Sequence, residues 1–175
     1  KNKPVWFFFS SSSHVYKYSN YKIKETSKKI PISKYGKLKL MAENSIKKKI
    51  KNTKIKVCIG RIFSFTNFRQ KKTYFIPSVF SGKIINANTY RDFIDIRDIC
   101  DAIYLLMKMS KIGTYNIASG SKINLNKIIN MIQNKKLSYK NPKNNLYADI
   151  TKLKNLGWKP AYNIKNILNE YKKFK

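Results

Sequence analysis

The apolar positions of this chain follow two different periods. Short unbroken runs occur at Val5 to Ser10, ending in hydroxyls, and at Ile55 to Gly60. Runs of that length predict strands buried on both faces, as in a parallel sheet. Between them, residues 17 to 34 are polar, carry Pro31 and show no period, which predicts a loop. From Tyr35 to Lys51 the apolar Leu38, Leu40, Met41 and Ile46 recur among lysines at roughly helical spacing, and Ser33 is placed to cap that helix. Strand, loop, helix and strand in this order make a βαβ unit.

The second half is read the same way. Residues 61 to 89 hold few helix signals and are expected to be irregular. Tyr90 to Ile96 alternates like a strand. Asp98 is expected to cap a helix running through Met109, with Ile99, Ala102, Ile103 and Leu106 on one apolar face. Gly113 ends that region, and Tyr115 to Ala118 reads as a short strand. Leu125 to Gln133 is expected to be a helix with Ile128, Ile129 and Ile132 turned inward. A basic, Asn-rich loop follows over 134 to 148. Asp149 is expected to cap a short helix reaching Leu156, and Asn163 the last helix, through Tyr171. No internal repeat is present. The pattern is that of an α/β fold.

With 175 residues there is room for one domain, or one domain and a small subdomain. No apolar run approaches the ~20 residues of a membrane helix. The Val5 to Phe9 run is too short for a signal peptide and lacks a small-residue cleavage site. Charge changes the picture more: 38 Lys and Arg stand against 8 Asp and Glu, a formal +30. Such an excess fits a nucleic-acid binder. It also fits compositional drift, since Lys, Asn, Ile, Tyr and Phe are abundant while Gly and Arg are scarce. The lysines are scattered from end to end, as drift predicts and a dedicated basic arm does not. No membrane and no specific nucleic-acid partner are therefore expected, although sequence-independent binding at low salt is. Cys58 and Cys100 lie inside apolar runs without metal-ligand spacing, and both are read as buried free thiols in a reducing compartment, with no metal.

The strongest chemical signal is Tyr35-Gly-Lys-Leu-Lys39. Positions i and i+4 share one helix face, so a phenol and an ammonium can point into one site. The ammonium favours the phenolate, which suits proton transfer. Alone, the spacing means little in a chain so rich in lysine. Its surroundings give it weight: Ser10 to Ser13 close the preceding strand, then come Val15-Tyr16, Glu25, Pro31, Ser33, Tyr35-Gly36, Lys39-Leu40 and Ala42-Glu43. This string resembles the extended short-chain dehydrogenases that act on sugar nucleotides. Arg61-Ile62-Phe63, Arg91-Asp92-Phe93-Ile94 with Asp98, Tyr115 to Gly120, Asp149 to Lys152, and Leu156-Gly157-Trp158-Lys159-Pro160 resemble later segments of the same family, in order.

The resemblance implies a partial Rossmann-type, doubly wound parallel sheet, its C-terminal half, with a small α/β substrate-binding subdomain. Residues 1–66 would be the C-terminal part of the NAD(P)-binding domain. Residues 67–175 would be mainly the substrate subdomain, with 90–120 partly returning to the sheet. Tyr35 matches the catalytic acid/base, Lys39 its partner and a holder of the nicotinamide ribose, and Ser12 the hydroxyl on the reacting oxygen. Ser11 or Ser13 takes that place if the register shifts by one. Ser10, Tyr35, Lys39 and Ile62 fall at cofactor-binding positions for NAD, or NADP in its place. Ser12, Ser13, Ser64 and Arg91 fall at positions for a nucleotide-diphosphate sugar. Arg91 would grip the diphosphate, or else pair with Asp92 or Asp95. His14, the only histidine, is read as packing. The resemblance also implies a cytoplasmic protein and a homodimer through the Tyr35–Lys39 helix.

Departures bear on the substrate. Lys17 replaces the usual Gly, Lys37 and Leu38 fill the family's x-Ser positions, and Ser64 stands for an Asn. The stretch between Phe80 and Arg91 is short and has no Gly-x-Gly turn. Lys140 or Lys143 stands in for a second arginine. The family's opening strand and its Gly-x-x-Gly-x-x-Gly turn for the cofactor pyrophosphate have no counterpart here. The chain thus corresponds to the family's C-terminal part, with an uncovered sheet edge and little activity expected alone. Ser13 and His14 occupy the positions of an Asp-Glu pair in the family's 4,6-dehydratases, which favours a 4-epimerase. A 4-ketoreductase uses the same Ser, Tyr and Lys and is the alternative within the family. A non-catalytic basic nucleic-acid-binding protein is the alternative outside it.

Overall fold

The computed structural model describes residues 6–174. Val5, at the start of the first expected strand, lies outside the described residues. In chain order the elements are β1 (Trp6–Ser12), α1 (Lys34–Ile50), β2 (Lys56–Ile62), β3 (Ser64–Thr66), α2 (Phe75–Phe80), β4 (Tyr90–Asp95), α3 (Ile96–Lys108), β5 (Gly113–Ile117), β6 (Lys122–Asn124), α4 (Leu125–Gln133), α5 (Thr151–Lys154) and α6 (Ile164–Lys173). A 3-10 turn, Ser13–Val15, follows β1 directly.

The architecture is α/β. β1, β2 and β5 form a parallel sheet in the order β1-β2-β5, with Ser10 opposite Gly60 and Ser12 opposite Ile62. The apolar runs explain it: Val57 to Arg61 are all buried, as a central strand covered on both faces requires. Gly60 is there because a Cβ would meet the Phe8 ring at 2.4 Å. A second sheet has the order β3-β4-β6, with β3-β4 parallel and β4-β6 antiparallel. Only Phe63 separates β2 from β3, so this strand passes from one sheet into the other, and the space at the parting becomes a cavity.

The Ser33 cap is as expected: its side chain accepts from the Gly36 amide at 3.0 Å. Gly36 brings α1 onto the turn after β1, since a Cβ there would lie 2.2 Å from the His14 carbonyl oxygen. This helix buries only Gly36 and Glu43, and Leu38 and Met41 are exposed. The main core joins the parallel sheet to Ile99, Ala102 and Leu106 of α3 and to Leu153 and Trp158. A second cluster packs Phe93 of β4 against Ile76, Ile128, Ile167 and Leu168 from α2, α4 and α6. Each such side chain contributes about 1.5–3 kcal/mol on burial.

Five expectations need correction. Ile150, not Asp149, stands at the cap of α5, which ends at Lys154, and Asp149, one residue further out, accepts from the Thr151 amide at 2.8 Å. Asp95, not Asp98, caps α3, accepting from the Arg97 amide at 2.9 Å. Asp98 lies in the first turn, buried, and accepts from the amides of Ala161 and Tyr162 at 2.8 and 3.1 Å. Residues 61 to 89 are not wholly irregular, because β3 and α2 lie there, and β6 is a strand that the apolar spacing does not announce. Cys100 is exposed, on the outer side of α3, whereas Cys58 is buried. Burial pushes the Cys58 thiol up to about 11, against the opposing pull of Lys152.

Candidate active site

The carboxyl ends of β1 and β2, the first turn of α1 and the start of β4 face one another across a cavity of about 580 Å³. Ligands of open parallel sheets bind outside the carboxyl ends of the strands. Ser10, Ser12, Ser13, Tyr35, Ile62, Ser64 and Arg91 all line this cavity. Of the site residues singled out in the sequence, Lys39 is set back. It lies one turn behind Tyr35, its Nζ donating to the Ser10 carbonyl at 2.8 Å and standing 5.6 Å from the centre of the Tyr35 ring. Tyr35 is 53 % exposed, so its phenol is open to a ligand. Lys140 and Lys143 do not reach the cavity.

Ser11, Ser12 and Ser13 all line the cavity, but their hydrogen bonds differ. The Ser11 hydroxyl donates to Glu43 at 2.5 Å, whereas the Ser12 hydroxyl accepts from the His14 amide at 3.2 Å. His14 is half-buried and lines the cavity. Its Nδ1 is 3.0 Å from the Ser33 hydroxyl, and its ring meets Tyr35 edge-on at 6.0 Å. Burial first, and the positive charge of Arg91 second, hold the imidazole below its ordinary pKa.

Among the described residues Arg91 makes no ion pair, with Asp92, Asp95 or any other carboxylate. Its Nη1 donates to the Thr89 hydroxyl and to the carbonyls of Tyr90 and Asn144 at 2.6, 2.9 and 2.7 Å. Burial lowers its pKa from the ordinary value, and no carboxylate offsets that. Asp92, on the opposite side of the strand, accepts from Ser119, Gly120 and Ala148, while Asp95 pairs with Arg97. A half-buried guanidinium lining a cavity without an anionic partner suits a bound anion.

Sequence reasoning missed two features. The first is the wall opposite the serines, made by Phe65, Gln70, Tyr74, Phe75 and Ile76 of the stretch read as irregular. The second is a buried polar network beneath the site. Arg61 is 1 % and Glu43 0 % exposed, and they bond through Nε–Oε1 and Nη2–Oε2 at 2.9 and 2.6 Å. Arg61 also donates to the Tyr16 hydroxyl at 2.8 Å, which donates to Asn116 at 2.7 Å. Burial would raise the Glu43 carboxyl, but the hydrogen bonds from Arg61 and Ser11 outweigh it and hold it below the usual value. Burial drives the Tyr16 phenol up to about 12 against the pull of Arg61. The two motifs that supply Glu43 and Arg61 are visible in sequence, and their pairing is not.

Comparison with known proteins places the chain. The model of the GDP-mannose 4,6 dehydratase family matches residues 1–145. The chain belongs to this family. The GDP-mannose 4,6 dehydratase family thereby supports the resemblance to the extended short-chain dehydrogenases. A Methanocaldococcus jannaschii protein named as a UDP-glucose 4-epimerase is 27% identical over 179 residues, covering 90% of this chain and 58% of the relative. The fold matches UDP-glucuronic acid 4-epimerase of Bacillus cereus, solved with UDP-glucuronic acid and NAD, at a TM-score of 0.82 and 22% identity, over 97% of this chain and 62% of that one. It matches dTDP-glucose 4,6-dehydratase of Bacillus anthracis, solved with NAD, at 0.83 and 18%, over 96% and 61%. The chain thus spans about three fifths of the length of these relatives. Among the described residues no helix is long and apolar enough to cross a membrane.

Proposed function

We propose that this chain carries the Ser-Tyr-Lys half of an NAD-dependent enzyme that acts on a nucleotide-diphosphate sugar as a 4-epimerase. The observation behind this reading is that Ser12, Tyr35 and Arg91, far apart in sequence, line one cavity with Lys39 directly behind Tyr35. The residues present suit the nicotinamide end of the cofactor. Ser10 and Ile62 lie within the last three residues of adjacent strands, and Lys39 is fixed there by the Ser10 carbonyl. Bound nicotinamide would accept hydride from a sugar carbon and return it. Tyr35 would take and give back the proton of the sugar hydroxyl, with the Lys39 ammonium stabilising the phenolate. Ser12 would hold the same oxygen, and Arg91 the diphosphate.

Ser13 and His14 stand where the 4,6-dehydratases carry an Asp-Glu pair, and the absence of those two carboxyls favours epimerisation over dehydration. Reduction of a 4-keto sugar is the second reading, because the same three side chains serve it. In this reading residues 1–66 complete the cofactor domain and 67–175 form mainly the substrate lobe. Exposed Leu38 and Met41 of α1 support a dimer through that helix. The enzyme would work in the cytoplasm and feed polysaccharide synthesis.

The test is calorimetry of the 175-residue chain with NAD(H) and NADP(H) at moderate salt, alone and with a family N-terminal half supplied. Expected is salt-tolerant binding, in the first case or only in the second, that weakens roughly tenfold or more in Lys39→Ala. Binding in neither condition, or binding indifferent to Lys39, overturns the reading. Where the cofactor binds, Tyr35→Phe is expected to abolish interconversion of UDP-sugars. A product lighter by one water would instead make the enzyme a dehydratase.

A further inference from the structure

A second cavity lies on the other side of Phe93 and has a different chemistry. It occupies about 670 Å³ between β4, β6, the start of α4 and the Pro160–Ile164 segment. Tyr90, Tyr139 and Tyr162 stand in its walls with Lys122 and Lys127. A shallower depression of about 460 Å³ continues it, sharing Tyr90 and Lys122 and adding Tyr147 and Lys143. Among the described residues neither is lined by a carboxylate. The active-site cavity, by contrast, has one arginine and no lysine in its described lining.

Lysines alone would carry little weight in a chain that has them everywhere. The tyrosines set this trough apart: four of the chain's 12 stand along it. Three of the four rings lie against a cation, and Tyr139 is half exposed. Lys122 Nζ lies 5.1 Å from the Tyr90 ring centre and 5.5 Å from that of Tyr147. Tyr162 is backed at 3.7 Å by the Arg97 guanidinium, itself fixed by Asp95 and Glu170. Flat aromatic faces beside ammonium groups are what a base and its phosphate need together, stacking for one and charge for the other.

We propose that this trough is a separate binding site for nucleoside phosphates, either free nucleotides or links of a single strand. The site is independent of the sugar-nucleotide cavity, which lies across Phe93 and uses Arg91.

The probes are ADP, UMP, pyrophosphate and a short oligothymidylate, titrated into the full chain by calorimetry at physiological ionic strength. Lys122→Gln/Lys127→Gln and Tyr139→Ala are each expected to weaken nucleotide binding roughly tenfold. All three side chains are exposed, so the variants should keep the parent unfolding transition. Arg91→Ala should leave this binding in place, and pyrophosphate should bind more weakly than ADP. An oligothymidylate that outcompetes ADP through the same residues identifies the source as a strand, and equal affinity identifies it as free nucleotide. Three results overturn the proposal: no nucleotide binding, pyrophosphate binding as well as ADP with Tyr139→Ala neutral, or loss of binding in Arg91→Ala alone.

Discussion

Two arginines meet carboxylates in this molecule under opposite conditions. Arg61 and Glu43 are sealed under the parallel sheet, with side chains 1 % and 0 % exposed and a closest approach of 2.6 Å. Arg97 bridges Asp95 and Glu170 at 2.8 Å each, but its own side chain is 38 % exposed and that of Glu170 27 %. The pairs look alike as geometry and differ in the cost of breaking them. A buried charge that loses its partner has no water to turn to, whereas an exposed one is solvated and screened. Beneath Ser12 and Tyr35, polar contacts that must all be kept are therefore set into the main apolar core. Around β4, α4 and α6 a second apolar cluster does the holding, with Arg97 as an addition at its rim.

The largest effect is expected from Glu43→Ala, which strands Arg61 and should cost about 3–5 kcal/mol in urea unfolding. Replacing both partners by apolar residues of similar size should recover much of that loss, and failure to recover would mean that Ser11 and Tyr16 depend on the charges. Glu43 also sets an acid limit. Its carboxyl is held below the ordinary value in the folded state, so its contribution is present above the unfolded pKa and lost as pH falls through the folded one.

Asp92 sharpens the comparison as a buried carboxylate without an arginine. Burial pushes it up to about 6, while hydrogen bonds from Ser119, Ala148 and Gly120 oppose the shift. Here the folded state holds its proton more tightly than the unfolded state does. Stability contributed by Asp92 should then decline as pH rises from about 4 to 6, the reverse of Glu43. Asp92→Asn should remove that decline, seen as a flatter dependence of the urea midpoint on pH. The smallest effect is expected from Glu170→Ala: at most about 1 kcal/mol, and less as salt is added. A loss near that of Glu43→Ala would mean that exposure does not separate the two pairs.

Local signals are the legible part of this sequence. Ser33 and Asn163 cap their helices through their own side chains, and Leu125–Gln133 is the helix its apolar spacing announces. The differences between spacing and structure share a cause. Asp95 and Asp98 are equally good caps by type, and the choice falls to Asp95 because β4 stays paired up to it, opposite Thr66 of β3. β3 and β6 are three-residue strands that exist only through β4. Cys100 sits in an apolar run, but helical phase turns it outward between the buried Ile99 and Ala102.

What the sequence determined by itself was the order of the main elements, the Ser33 and Asn163 caps, the Tyr35–Lys39 pair and the family those motifs belong to. Each depends on neighbours within a turn or two of chain, where spacing alone sets proximity. Only the tertiary structure decided that Arg91 faces the serines, that Arg61 meets Glu43 away from water, and that tyrosines and lysines gather beyond Phe93. Tyr16 and Asn116 show why: their hydrogen bond closes over 100 residues, and contacts of that span depend on how whole elements pack and what they exclude from solvent.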